Sequence, residues 1–201
     1  MYPPPHHQSQ DREKMIAVMK AFPFATLVTA RDVEPFITHI PIIYNDNSGR
    51  LVAHIDAMNP QVATLTNGSM ATVVFRGPDC YISPSVYSTE QLPTWNYIIV
   101  HIKGKVHPIE EPDAVKQTMI DMTAFLEGDN PKFILKKDNP KMDRLVNYIK
   151  AFEIEISKWE GKFKLSQDKN PEDFELAKAQ LLKQSKRDCN QFIKSIYERG
   201  L

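Results

Sequence analysis

An antiparallel β-strand is predicted most clearly by residues 97–109, YIIVHIKGKVHPI, in which apolar and basic side chains alternate. A period of two is typical of a strand with one buried face and one solvated face. Gly104, in the middle of this strand, predicts a bulge or a close approach of another backbone segment. The apolar face comprises Ile98, Val100, Ile102 and Val106, and the basic face, which we expect to be solvated, comprises His101, Lys103, Lys105 and His107.

On either side of this strand lie further short apolar runs that are bounded by turn residues. The segment NDNSG at 45–49 is a strong turn signal, so the runs on its two sides form a predicted hairpin. Few helical segments separate the runs, so the sequence does not favour alternating βαβ units. It favours an antiparallel barrel with flanking helices. The fold class is therefore mainly β. The predicted strands are residues 24–30, 35–44, 50–56, 70–75, 80–83, 97–109 and 152–157.

Five helical segments are predicted among the strands. A short one begins at Asn59-Pro60 and runs to about Thr66. Asp11 is placed to cap a helix that runs to about Ala21, before Pro23 ends it. Further helices are predicted at about 112–126, at 141–149, and from Pro171 to the end of the chain. The last helix has an apolar stripe at spacings of three and four: Phe174, Ala177, Leu181, Ser185, Cys189, Phe192 and Ile196.

Composition and charge exclude several classes of protein. The 201 residues carry 25 basic and 25 acidic side chains, so no net charge attracts the chain to nucleic acid or to anionic membranes. The two cysteines, Cys80 and Cys189, fit no metal-binding spacing and indicate a reducing compartment. No signal peptide and no apolar run of membrane-spanning length is evident. We therefore expect a cytoplasmic protein, with no metal site.

Signature segments of one known family occur in order along the chain. They are the H-x4-NP element at 54–60, FRGPDCYISPSVY at 75–87, LPTWNY at 92–97 and WEGKFKLSQDK at 159–169. Together they closely resemble the PaiB-type FMN-binding family, whose members are described as negative transcriptional regulators. The resemblance extends from Met1 to about Lys169, with one departure at Val86, where the family often has tryptophan.

The resemblance implies a split β-barrel of the pyridoxamine-phosphate-oxidase type, with FMN as the cofactor. It implies a homodimer in which the flavin site lies at the subunit interface. The FMN-binding domain is then residues 1–169, including the N-terminal helix and the helical excursion at 112–149. Residues 170–201 form a C-terminal amphipathic helix that we expect to pack on the same domain.

A phosphate dianion requires helix-terminal amides, hydroxyls and cations. The candidates for this end of FMN are His54, Asn59, Lys162, Lys164 and Ser166, and Gln167 lies in the same segment. Each has an alternative structural interpretation. Asn59 is also a plausible helix cap, His54 a hydrogen-bonded barrel histidine, and the two lysines solvated loop residues.

The isoalloxazine ring requires a flat apolar wall and hydrogen-bond partners at its polar edge. Trp95 is the candidate for the wall, and Asn96 is the candidate for the polar edge. The alternative is a core tryptophan beside a turn asparagine. In the second strand, one of Thr38 and His39 is a further candidate to face the flavin, and a buried, hydrogen-bonded histidine is the alternative.

Three functions compete at this stage. The first is flavin-dependent redox chemistry or flavin sensing, in which the cofactor supplies the chemistry and no acid–base pair is required. The second is transcriptional regulation, either indirect or by DNA binding. Direct binding is not expected, because no helix-turn-helix, zinc finger or strongly basic face is present. The third is haem binding by a related barrel. The sequence identifies neither catalytic residues nor a substrate.

Overall fold

Strands dominate the part of the chain that the computed structural model describes, which is residues 1 and 4–185. Four α-helices and four short 3-10 helices connect them within that part. The strands are β1 (Gln8–Ser9), β2 (Phe24–Arg31), β3 (Glu34–Pro41), β4 (Ile43–Asn45), β5 (Arg50–Asp56), β6 (Met70–Ile82), β7 (Thr94–Ile109) and β8 (Ile149–Lys164). The α-helices are α1 (Arg12–Ala21), α2 (Pro112–Glu127), α3 (Pro140–Leu145) and α4 (Pro171–Ser185), and the 3-10 helices are Pro5–His7, Pro60–Thr64, Pro84–Val86 and Val146–Tyr148.

The sheet has the strand order β3-β2-β6-β7-β8-β5-β4, and β1 also pairs with β8. The β2–β3 pair is antiparallel over its whole length, from Phe24 opposite Pro41 to Arg31 opposite Glu34. The β4–β5 pair closes over the turn at 46–49, as the turn signal predicts. The mainly antiparallel architecture with flanking helices is therefore confirmed.

The chain divides into two compact units, and the three long strands β6, β7 and β8 contribute residues to both. The first unit consists of Met1–Ser9, Gly77–Ile98 and Lys162–Leu201, of which Tyr2, Pro3 and 186–201 lie outside the described residues. The second unit consists of Gln10–Arg76 and Ile99–Gly161. These boundaries differ from the domain boundary at residue 169 that the sequence predicts, which stays a prediction.

The core of the first unit joins strand β6 to helix α4. Cys80 and Ile82 pack with Tyr87 and with Ala177 of α4, and Leu181 adds to this cluster one turn later. Ala177, which is fully buried, and Leu181 belong to the apolar stripe predicted for the C-terminal helix, whereas Ser185 of that stripe is exposed. The members of that stripe beyond Ser185, which are Cys189, Phe192 and Ile196, lie outside the described residues.

The core of the second unit is formed by side chains from α1 and from five strands. Burying one large apolar side chain contributes about 1.5–3 kcal/mol to the free energy of folding. Helix α1 begins where Asp11 accepts a hydrogen bond from the Lys14 amide, as predicted. The largest fully buried side chains of this unit include Met15, Met19, Leu27, Leu51, Phe75, Ile102, Phe152 and Ile154.

Gly104 has the close backbone approach that its place in a strand predicts. A Cβ atom at this position would lie 2.3 Å from the carbonyl oxygen of Glu155 and 2.6 Å from Cγ2 of Ile154. Strand β8 therefore packs against β7 at a distance that only glycine permits.

Three predictions about strand boundaries are wrong. The run at 35–44, predicted as one strand, is divided into β3, which pairs with β2, and β4, which pairs with β5. The runs predicted as separate strands on either side of Gly77-Pro78 form one strand, β6. Residues 94–96 and 160–164, which lie outside the predicted strands, are the first residues of β7 and the last residues of β8. Polar and aromatic residues signalled a loop in these places, whereas the paired strands continue through them.

Candidate functional site

A pocket of about 300 Å³ in the first unit contains two of the ten candidate residues, Lys164 and Ser166. Lys164 is at the end of β8, and Ser166 follows it in a left-handed backbone conformation with φ 61°. The other lining residues come from the N-terminal segment, from the loop before β7 and from the residues after β8. They are His7, Gln91, Leu92, Pro93, Thr94, Asp168 and Lys169.

The charges around this pocket are mainly positive. Lys164 Nζ donates a hydrogen bond of 2.5 Å to Thr94 Oγ1. Because this partner is a neutral hydroxyl, the contact does not neutralise the positive charge of Lys164. Lys169 Nζ lies 3.3 Å from Asp168 Oδ2. Burial alone would raise the pKa of Asp168, but hydrogen bonds from its own backbone amide and from Lys169 outweigh this effect and lower it. The pocket thus combines two ammonium groups and hydroxyls with one carboxylate that is already paired.

Ser166 and Asn96 form a buried polar cluster with Tyr87. The Oγ atom of Ser166 lies 3.0 Å from Nδ2 of Asn96 and 3.1 Å from the hydroxyl oxygen of Tyr87. Asn96 is 1% exposed. These three side chains connect β7, the segment after β6 and the turn after β8, so within the structure they have a positioning role. Their contact with a flavin stays a prediction.

Lys162 and Gln167 differ from Lys164 in their surroundings. Lys162 is 2% exposed and does not line the pocket, so Lys164 is the lysine of this pair that reaches it. Gln167 Nε2 donates to the carbonyl oxygen of His6 at 3.0 Å, and Gln167 Oε1 accepts from the Leu165 amide at 2.7 Å. Gln167 therefore ties the N-terminal segment to the turn after β8.

Trp95 and Asn96 point to opposite faces of β7, because successive side chains of a strand alternate. Trp95 is 50% exposed, and its Nε1 donates to Asp79 Oδ1 at 2.8 Å. Its ring centroid lies 6.2 Å from that of Tyr81. Of the two, Trp95 is the residue that offers an accessible flat surface, and the contact of Trp95 and Asn96 with the flavin ring stays a prediction.

The other four candidates lie in the second unit, where Thr38 and Asn59 are in contact. Asn59 Nδ2 donates to Thr38 Oγ1 at 3.1 Å. Asn59 Oδ1 accepts from the Gln61 amide at 2.9 Å, so Asn59 caps the helix that follows, as predicted. That helix, Pro60–Thr64, is a single short 3-10 turn. It offers fewer free amides than the α-helix that a phosphate site would favour.

The two histidines of this group have different surroundings. His39 is exposed, and its Nδ1 lies 2.9 Å from Thr26 Oγ1. The alternative of a buried His39 is therefore wrong. Burial lowers the pKa of His54, and its buried Nδ1 has no hydrogen-bond partner among the described residues. His54 is thus held neutral with one polar atom unsatisfied.

A larger cavity of about 520 Å³ lies in the second unit, and none of the ten candidates lines it. Its lining is mostly apolar and also includes Asn67, Glu110 and Lys150. No sequence pattern indicates this cavity, because its lining residues come from segments that are far apart along the chain.

Sequence reasoning also missed His7, Thr94, Asp168 and Lys169 as lining residues of the first-unit pocket. The signal was present for three of them, because Thr94 belongs to the segment LPTWNY, and Asp168 and Lys169 end the segment WEGKFKLSQDK. His7 is 7% exposed. Its burial lowers its pKa, and the nearby His6 lowers it further. Its position in a Pro- and His-rich N-terminal segment gave no reason to expect burial.

Comparison with known proteins now identifies the family. A family model described as "Putative FMN-binding domain" matches residues 1–158. The chain belongs to this FMN-binding family. It is also similar to the Protease synthase and sporulation protein PAI 2 of Bacillus subtilis. The two are 30% identical over 177 residues, which are 87% of this chain and 86% of the relative. The PaiB-type resemblance is therefore confirmed, and so is FMN as the cofactor.

Solved structures share the fold at low sequence identity. The FAD and haem binding protein of Mycobacterium smegmatis superposes with a TM-score of 0.65 at 20% identity, covering 85% of this chain and 80% of that one. The flavocytochrome Anf3 of Azotobacter vinelandii superposes with a TM-score of 0.59 at 18% identity, covering 85% and 75%. The predicted split-barrel fold is confirmed, and the chain is an FMN-binding split-barrel protein. Within residues 1 and 4–185, no helix is both long and apolar enough to span a membrane.

Proposed function

We propose that the pocket around Lys164 receives the phosphate of FMN and that the flavin serves a redox or flavin-sensing role. The observation that carries this proposal is the composition of the pocket. Two ammonium groups and two hydroxyl side chains border one volume of about 300 Å³. A phosphate dianion is bound by cations and hydroxyl donors of this kind.

The one carboxylate of the pocket does not prevent anion binding. Asp168 is paired with Lys169, so the pair contributes little net charge, and Lys164 adds an excess positive charge. His7 is held close to neutral by burial, so it offers a polar ring without a fixed charge. The residues present therefore fit the phosphate end of FMN.

Trp95 is the candidate for contact with the isoalloxazine ring. Its indole is held by Asp79, beside Tyr81, and half of its surface is exposed. A flat ring that is fixed in place and open on one side suits stacking, which contributes about 0.5–1.5 kcal/mol beyond simple burial. When it is bound, FMN supplies hydride or electron transfer, and the side chains named here bind it and orient it.

We further propose that the chain is a cytoplasmic homodimer with the flavin at the subunit interface. Trp95 and Tyr81 support an interface, because both are about half exposed, their ring centroids lie 6.2 Å apart, and aromatic side chains are enriched at protein interfaces. A C2 dimer would cover the same patch on both copies. Light scattering is expected to give twice the 23.1 kDa chain mass. A mass near 23.1 kDa at micromolar concentration would refute the dimer.

FMN and riboflavin distinguish the phosphate contact from all others, because riboflavin lacks the phosphate. Losing one charged hydrogen bond costs about 1.5–3 kcal/mol, which is about ten- to a hundredfold in Kd. Lys164→Ala is therefore expected to weaken FMN by this factor and to leave riboflavin almost unchanged. Fluorescence titration of folded protein measures both affinities.

Lys183→Ala is the matched control, because Lys183 is an exposed lysine of α4 in the same unit and does not line the pocket. It is expected to bind both flavins as the parent does. If Lys164→Ala and the double variant with Lys169→Ala both bind FMN as tightly as the parent, the pocket is not the phosphate site.

The competing functions give different results in simple assays. Two proteins with this fold are named for flavin together with haem or cytochrome, so a haem titration is a direct alternative. A Soret band with no flavin bands would favour haem binding. A DNA footprint that persists at about 150 mM salt would favour direct regulation of transcription, since non-specific binding is screened there.

A further inference from the structure

Two histidines and one aspartate meet at one edge of the first unit. The ligand atoms of His6, His7 and Asp168 all lie within 4.8 Å of one another. His6 and His7 come from the 3-10 helix Pro5–His7, and their rings stand edge to face with centroids 4.2 Å apart. No motif spacing predicts this cluster, because the two histidines and Asp168 lie near opposite ends of the described chain.

One member of the cluster is buried without a partner. His7 is more than nine-tenths buried, and its Nε2 atom has no hydrogen-bond partner among the described residues. A buried polar atom of this kind costs free energy unless something binds it. The neighbouring histidine and carboxylate supply groups that would share such a ligand.

We propose that His6, His7 and Asp168 form a binding site for a zinc-type divalent cation. Two imidazole nitrogens and one carboxylate oxygen are a ligand set that Zn²⁺ accepts, with one coordination position left for water. Tetrahedral ligands at about 2.0–2.1 Å from Zn²⁺ lie about 3.3 Å from one another. Separations of up to 4.8 Å between the ligand atoms are close enough for side-chain rotation to complete the site on binding.

Two further contacts bear on the strength of the site. The side chain of Gln167, next to Asp168, donates to the His6 carbonyl oxygen at 3.0 Å and so fixes the two segments together. Three nearby lysines weaken the binding of a cation. Lys162 and Lys164 repel positive charge at His7, and Lys169 competes for Asp168, with which it forms an ion pair. The site is therefore weaker than a closed structural zinc site with four ligands.

Zinc titration of the flavin-free, tag-free chain tests the proposal. Flavin is removed because His7 and Asp168 also border the pocket around Lys164. We expect one Zn²⁺ per chain by calorimetry or by competition with a chromophoric chelator. Asp168→Asn keeps the side-chain shape and removes the charge. It is expected to weaken Zn²⁺ by at least about tenfold, because even outer-shell partners of a metal contribute that much.

His107→Gln is the matched control, because His107 also lies beside a carboxylate, with Nε2 3.0 Å from Glu155 Oε2, but outside this cluster. It is expected to bind Zn²⁺ as the parent does. His6→Gln, at an exposed position, provides a second loss variant should Asp168→Asn fold poorly, and Co²⁺ absorption reports whether nitrogen ligands are bound. The proposal is overturned if the parent binds no stoichiometric Zn²⁺, or if His6→Gln binds it as tightly as His107→Gln.

Discussion

Replacing Ser166 with alanine tests whether the buried polar cluster holds the first unit together. The substitution removes the Oγ atom that lies 3.0 Å from Asn96 Nδ2 and 3.1 Å from the Tyr87 hydroxyl. Both partners are buried, so each loses a hydrogen bond where water does not replace it. Leaving a buried polar group unsatisfied costs about 1–3 kcal/mol. For a chain of this size, each kcal/mol lowers Tm by about 2–4 °C.

Glycine at the same position separates the hydrogen bonds from the backbone. Ser166 has φ 61°, a conformation that costs any residue other than glycine about 1–2 kcal/mol. Ser166→Gly loses the same hydrogen bonds but relieves this strain, so it is expected to be less destabilising than Ser166→Ala.

Urea denaturation followed by tryptophan fluorescence measures these differences. Ser185→Ala is the control, since Ser185 is exposed at the end of α4, and it is expected to lie within about 0.5 kcal/mol of the parent. The reasoning is refuted if Ser166→Ala is as stable as Ser185→Ala, or if the glycine variant is less stable than the alanine variant.

Three further predictions concern other positions. Gly104→Ala is expected to lower the free energy of unfolding, measured by urea denaturation, by about 1–3 kcal/mol, because the added Cβ would collide with the backbone of Glu155. Lys105→Ala, at an exposed neighbouring position, is the control and is expected to change it little. Equal stabilities of the two variants would contradict the prediction. Burial would raise the pKa of Asp173, but hydrogen bonds from Thr89 and Ser88 lower it from 3.8 to about 2. The stability that Asp173 contributes is therefore present above about pH 4 and lost as the pH falls towards about 2. Asp173→Asn is expected to abolish this part of the dependence of Tm on pH. A profile of Tm against pH that is unchanged in the variant would contradict the prediction. Trp95→Ala is expected to weaken FMN and riboflavin by similar factors, and a loss confined to FMN would contradict a ring contact.

Local chemistry allowed the regular elements to be predicted. Alternation in 97–109 predicted the buried face of β7, and Val100, Ile102 and Val106 are fully buried. Asp11 and Asn59 were recognised as helix caps because capping requires a side-chain acceptor immediately before the helix. Such features depend on neighbours within a few residues, which the sequence displays directly.

The arrangement of the candidate site depends on contacts between distant segments. Ser166 and Asn96 are 70 positions apart, and His6 and Asp168 are further apart still. No periodicity encodes such pairs, because they follow from the pairing of strands. The same reason applies to Trp95 and Asn96. They lie just before the predicted strand at 97–109, and only the pairing of β7 shows that their side chains point to opposite faces of it.

Flavin absorption after removal of unbound ligand tests the central claim most directly. The chain is incubated with excess FMN, passed through a desalting column, and its spectrum is compared with that of riboflavin-treated chain. We expect bands near 370 and 450 nm, roughly those of free flavin, at about one FMN per chain, with much less riboflavin retained. An absence of flavin bands, or equal retention of FMN and riboflavin, would contradict binding of FMN through a phosphate pocket.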